Sequence, residues 1–142
     1  MLQRQQIAAL VPHTGAMCLL DGVRAWQQDG IECVSNSHGE RGNPLRVDGQ
    51  LPCVALVEYA AQAAAVHAGL CGTDLHGGAA AFVGAVKSLQ LHRAQVPADC
   101  VQLAVHAHCV LQSAAGAIYE FEVLGDGLCL ATGRLVLAAP AA

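Results

Sequence analysis

The segment LPCVALVEYAAQAAAVHAGL, residues 51–70, decides how the rest of the chain is read. Pro52 stands just ahead of it, and Gly69 and Gly72 close it, so the start and stop signals predict a helix over 53–70. Alanine occurs on every side of that helix. It has no polar face to offer water and therefore reads as a buried core helix. One carboxylate, Glu58, is set into it. Taking a carboxylate out of water is expensive unless it is paired or hydrogen-bonded. Burial also disfavours the anion, which raises a carboxyl's pKa and suits it to donate a proton near neutral pH. The plain alternative is a carboxylate held by the positive end of the helix, or one that emerges at the surface. Gln62, four residues on, shares the face of Glu58.

Outward from this helix the pattern is mostly strand. Residues 3–10 read as a short N-terminal helix ending before Pro12, and 16–37 as two strands around the turn signal QQDG. Residues 38–52 are dense in Gly, Pro, Asn and Asp and form one long loop, of a length that is often functional in a compact domain. Beyond the helix, 80–91, 100–112, 116–125 and 127–138 read as four strands, the last three joined by tight turns at SAAG and GDG. There is no repeat and no linker, so residues 1–142 form a single domain. One long helix wrapped by an antiparallel sheet is an α+β fold. No helix is predicted for the other face of the sheet, and a dimer is the expected way to cover it.

Composition narrows the function classes. The chain is 54% hydrophobic and 13% charged, with a mean hydropathy of +0.42, which favours a surface partly covered by another subunit. The most apolar window is interrupted by Glu58, Gln62 and His67, so no membrane span is expected. The N-terminus MLQRQQIAALVPH lacks the long apolar core of a signal peptide. Seven cysteines, an odd number without CxxC spacing, sit mostly in apolar runs and read as reduced thiols in a cytoplasmic protein. A net charge of −4 with seven dispersed basic residues argues against nucleic acid. His106 and His108 share one strand face without further ligands nearby, so they read as solvent-facing and no metal is expected. His67 lies on the far side of the helix from Glu58 and reads as structural. No GxSxG, phosphate-cradling or dinucleotide-binding motif is found.

With Glu58 reached, the chain resembles the β-hydroxyacyl-(acyl carrier protein) dehydratases of the hot-dog fold, and within them the ApeP-like branch of aryl-polyene biosynthesis. LVPHTGAMCLLDGV is similar to the family's Leu-Pro-His…Leu-Leu-Asp-Arg-Val segment. LPCVALVEYAAQAAA is similar to its Pro-Gly-Val-Leu…Glu-Ala-x-Ala-Gln helix, and VGAVKSLQLHRAQVPADCVQL to its Lys…Phe-Arg…Val-x-Pro-Gly-Asp strand pair. The resemblance implies a dimeric hot-dog domain that dehydrates a (3R)-3-hydroxyacyl thioester on acyl carrier protein to the trans-2-enoyl thioester, with no cofactor. It implies that Glu58 is the acid and that a histidine takes the C2 proton. It also implies that backbone N–H groups of Cys53 and Val54 hold the thioester oxygen, while Gln62 positions the helix and site. Basic residues at 41, 46, 87 and 93 are candidates for docking the carrier protein.

In the family the base lies in a Gly-His-Phe-Pro motif fourteen residues before the helix carboxylate; here that count reaches Pro44, and the motif is missing. Three alternatives follow. His13, in the matched Leu-Pro-His position, is the base; or His38 reaches in through the long loop; or the chain is a degenerate partner whose site is completed by a second subunit. The assembly is then a homo-oligomer or a heterodimer with a related dehydratase. Hydrolysis of an acyl thioester, with the helix carboxylate activating water, is the rival chemistry for the same fold.

Overall fold

The computed structural model describes residues 2–9, 15–72 and 82–138. A two-residue strand β1 (Leu2–Gln3) leads into α1 (Arg4–Ala8), followed by β2 (Gly22–Gln27) and β3 (Gly30–Ser35). The core helix opens with a 3-10 turn, Cys53–Ala55, and continues as α2, Leu56–Leu70. Then come β4 (Phe82–Leu91), β5 (Leu103–Ser113), β6 (Gly116–Gly125) and β7 (Leu128–Ala138). All seven strands form one antiparallel sheet in the order β1-β2-β3-β5-β6-β7-β4. The predicted α+β architecture stands; the last four strands begin or end within three residues of expectation, the first strand of the hairpin at 16–37 starts only at Gly22, and the short β1 was not foreseen.

The helix packs on β5, with β3 and β6 to either side. Its alanines explain how it fits: Ala60, Ala63 and Ala64 are fully buried, and side chains this small let the helix lie close to Val105, Val123 and Leu103 of the sheet. Leu56, Tyr59 and Val66 supply the bulk between them. By length and composition Cys53–Leu70 could cross a membrane, but more than half of it is buried beneath the sheet, as a core helix is.

Turn chemistry sets the register of the last hairpin. Asp126 and Gly127 both have positive φ, which gives the two-residue turn that matches strand twist. Gly133 is required for packing: a Cβ there would meet the Phe121 ring at 2.8–2.9 Å. Asp126 has a second task. Its carboxylate accepts the N–H groups of Val101 and Gln102 at 2.9 and 3.0 Å, which holds its pKa below the ordinary carboxylate value. A depressed pKa adds stability that is present above about pH 4 and is lost as the pH falls through the folded-state value. We expect wild type to exceed Asp126→Asn in urea midpoint at pH 7, and the gap to narrow progressively below about pH 4.

None of the seven cysteines is joined in a disulfide. Cys33 is fully buried, and burial pushes its thiol up to about 12.

Candidate functional site

Glu58 stands in the first turn of α2 and is half-buried rather than enclosed, so the expectation of a fully buried acid is corrected. The helix rotates this position away from the sheet, toward the chain between α1 and β2. Gln62 fixes it there. The Gln62 amide is 1% exposed, and its orientation follows from its partners. Oε1 accepts the Leu19 N–H at 3.0 Å, so Nε2 is the atom that donates to the Met17 carbonyl at 2.6 Å and to Glu58 Oε1 at 3.2 Å. One side chain thus ties the acid to the segment Met17–Leu19.

That tie bears on His13, which lies outside the described residues, as does His76. His13 precedes Met17 by four residues in the sequence. His38 is placed differently. It sits in the 3-10 turn Ser37–Gly39 after β3, with Nε2 2.7 Å from the Cys100 carbonyl, to which it therefore donates. Nδ1 is buried without a hydrogen-bond partner. Cys100 lies just before β5, whereas Met17–Leu19 runs beside the β2 flank of β3, where Asp21 N–H bonds the Val34 carbonyl. Within one chain His38 is thus held at Cys100. Pro44, at the place of the missing motif, is exposed.

At the helix start, Cys53 is buried and its N–H is already given to the Ala94 carbonyl at 2.9 Å. The expectation that Cys53 presents a free donor is corrected for this reason. The Ala55 N–H goes to the Pro52 carbonyl. Val54, 53% exposed, lies between them at the open end of the helix. Burial pushes the Cys53 thiol up, and the nearby Arg93 guanidinium works against that, which places a cation beside this end. Arg46 is not a free docking cation: its guanidinium folds inward to the carbonyls of Gly39 and Gly49, bracing the long loop.

The remaining histidines have other tasks. His67 is 2% exposed and bridges Tyr119 Oη at 2.6 Å and the Gln27 carbonyl at 2.8 Å, a buried strut at the far end of α2. His106 and His108 lie on the outer sheet face beside Glu32 and Asp29. They border a shallow depression of about 410 Å³ that holds none of the predicted site residues. Among the described residues no group of three or more His, Cys, Asp or Glu side chains is arranged to hold a metal ion.

Sequence reasoning missed the polar cluster under the long loop. Tyr59 is fully buried, and its hydroxyl contacts Ser37 Oγ at 2.8 Å and accepts Asn43 Nδ2–H at 2.9 Å. Asn43 is 5% exposed. The available signal was a tyrosine in an otherwise alanine-rich helix, facing a loop that contains a lone asparagine.

Comparison with known proteins identifies the family and the fold. The model of the ApeP dehydratase family, described as ApeP-like, matches residues 5–142. The chain is 33% identical over 115 residues to the 3-hydroxyacyl-(acyl-carrier-protein) dehydratase FabZ of Latilactobacillus sakei, covering 74% of this chain and 76% of that protein. Among solved structures it is similar to the dehydratase heterocomplex ApeI:P from Xenorhabdus doucetiae, with a TM-score of 0.81, 22% identity, and coverage of 99% of this chain and 93% of that one. A Haemophilus influenzae thioesterase gives a TM-score of 0.68 at 14% identity, covering 97% and 90%. At such identities the structural likenesses establish the hot-dog fold alone, and it is the sequence matches that carry the family. A core helix with Glu58 and Gln62 one turn apart, in a chain matched nearly end to end, places this protein in the ApeP-like family of hot-dog dehydratases.

Proposed function

We propose that this chain is a subunit of a dehydratase that converts a (3R)-3-hydroxyacyl thioester on acyl carrier protein to the trans-2-enoyl thioester and water. The supporting observation is that Gln62 holds Glu58 and, with the same amide, the segment that follows His13. In the reaction a histidine takes the C2 proton, and the electron pair of that C–H bond becomes the C2=C3 double bond. The C3–O bond breaks as Glu58 protonates the departing hydroxyl, which leaves as water. The thioester oxygen gains charge in the transition state, and the Val54 N–H at the helix start is the donor assigned to it. Such a donor contributes about 3–4 kcal/mol. The pair of proton-transfer groups needs no metal or organic cofactor.

The base is His13 of this chain or a histidine of a second subunit. Two observations favour a second subunit: Pro44 stands where the motif histidine is expected, and His38 is engaged with Cys100. The edge strand β4 supports association. Val83, Val86 and Leu91 pair in register with the buried residues Leu137, Leu135 and Ala131. They therefore continue the apolar inner face of the sheet, yet each is 37–41% exposed. A second hot-dog subunit, identical or a related dehydratase, would both pair this edge and cover that face. The heterocomplex formed by the Xenorhabdus protein is consistent with an unlike partner. The free cysteines fit the cytoplasm.

The test is product analysis with a crotonyl- or octenoyl-thioester. Loss of enoyl absorbance without release of thiol supports the dehydratase. Thiol release with no change at the double bond would assign the site to thioester hydrolysis instead.

A further inference from the structure

The hydroxyl groups beneath the long loop are arranged in one direction. Ser35 Oγ lies 2.6 Å from the Leu19 carbonyl, which only accepts, so the single Ser35 proton is spent there. The contact of 2.8 Å between Ser35 and Ser37 must then use the Ser37 proton. With that proton committed, the contact of 2.8 Å between Ser37 and Tyr59 uses the proton of Tyr59. Asn43 completes the series from the other end. Its Oδ1 accepts Leu45 N–H at 2.8 Å, so its Nδ2 donates to Tyr59 Oη. The order Asn43, Tyr59, Ser37, Ser35, Leu19 C=O is thus fixed throughout, with every member buried. Burial pushes the Tyr59 phenol up, which keeps it protonated as a donor. Hydrogen bonds aligned head to tail polarise one another and strengthen the whole.

The series ends on a residue, Leu19, whose backbone also serves the acid. Leu19 accepts from Ser35 through its carbonyl and donates its N–H to Gln62, whose amide donates to Glu58. We propose that Tyr59 is a positioning residue for Glu58, acting through Ser37, Ser35, the backbone of Leu19 and Gln62, so that the loop over 37–45 and the acid are held as one unit. Tyr59 and Glu58 are neighbours in sequence but point to different sides of α2; the coupling runs through the rest of the structure, not along the helix. The loop that lacks the family's histidine motif keeps a task here, which is to set the acid.

The activity arm rests on the dehydratase reading above; the spectroscopic arm does not. The variant is Tyr59→Phe, which keeps the ring packing and removes the hydroxyl, with Ser37→Thr as the variant that retains the relay. We expect Tyr59→Phe to shift the NMR resonances of the Leu19 amide, the Gln62 side-chain amide and the Glu58 carboxyl carbon, none of which Tyr59 Oη touches. In the assembled enzyme kcat falls about ten- to a hundredfold with KM unchanged, the scale of a misplaced catalytic group. Ser35→Ala reproduces both effects, and adding it to Tyr59→Phe adds little. Ser37→Thr leaves resonances and rate near wild type. Unshifted Leu19, Gln62 and Glu58 resonances in Tyr59→Phe would overturn the coupling. Shifted resonances with an unchanged kcat would overturn its catalytic role. Retained activity in Glu58→Gln is a separate outcome: it removes the dehydratase reading and the positioning role with it, while the resonances still decide the coupling.

Discussion

Replacing Glu58 by Gln is expected to lower the dehydration rate of the assembled enzyme by about 10²–10⁴-fold, the usual contribution of a positioned general acid. The amide is nearly isosteric and still accepts from Gln62 through its oxygen, so the fold and the Met17–Leu19 tie survive. What is lost is the proton for the departing hydroxyl. The measurement is the rate of hydration of an enoyl thioester, the reverse reaction, at matched protein concentration. Thermal unfolding should be close to wild type, because the position is half-exposed and the glutamine side chain keeps both the size and the acceptor for Gln62. A large drop in stability would mean that the rate change reports damage to the core instead of the chemistry.

The second large effect is expected at the sheet edge. Val86 faces the same side as Leu135, which is fully buried, yet is itself left exposed. Val86→Asp would place a charge in the middle of the proposed subunit contact, where desolvating it without a partner is prohibitive. Light scattering should then report a monomer, against the dimer proposed for wild type. Thioester hydration should fall with assembly, whichever subunit supplies the base. The isolated fold has little reason to change, since Val86 is 38% exposed in the single chain. A variant that remains dimeric would exclude this strand from the interface.

Much of this arrangement was legible before any coordinates. The helix over 53–70 could be read because its punctuation is local: Pro52 at one end, glycines at the other, and alanine between. The last three strands were legible for a similar reason, since alternating residues and short turns such as Asp126–Gly127 determine their own pairing. The long loop was recognised only as a loop. Its internal order comes from Arg46 reaching Gly39 and Gly49, and from Asn43 reaching Tyr59. Contacts of that kind depend on the fold and leave no period in the sequence. The same holds for the helix start. Which N–H groups are free depends on Ala94 arriving beside Cys53 from another part of the chain. Glu58 and Gln62 were paired from their spacing alone, but the second duty of Gln62, holding Met17 and Leu19, spans more than forty residues of chain and needed the structure.

The decisive measurement is hydration of octenoyl-thioester by the purified wild-type chain, alone and then titrated with a related dehydratase subunit that carries an intact Gly-His-Phe-Pro motif. Loss of enoyl absorbance that depends on Glu58 of this chain is expected in at least one of the two conditions. Activity in the chain alone, abolished by His13→Ala, would identify His13 as the base. Activity only on mixing would assign the base to the partner. Turnover that is indifferent to Glu58 in both conditions would contradict the account, leaving α2 as a core helix whose carboxylate takes no part in the reaction.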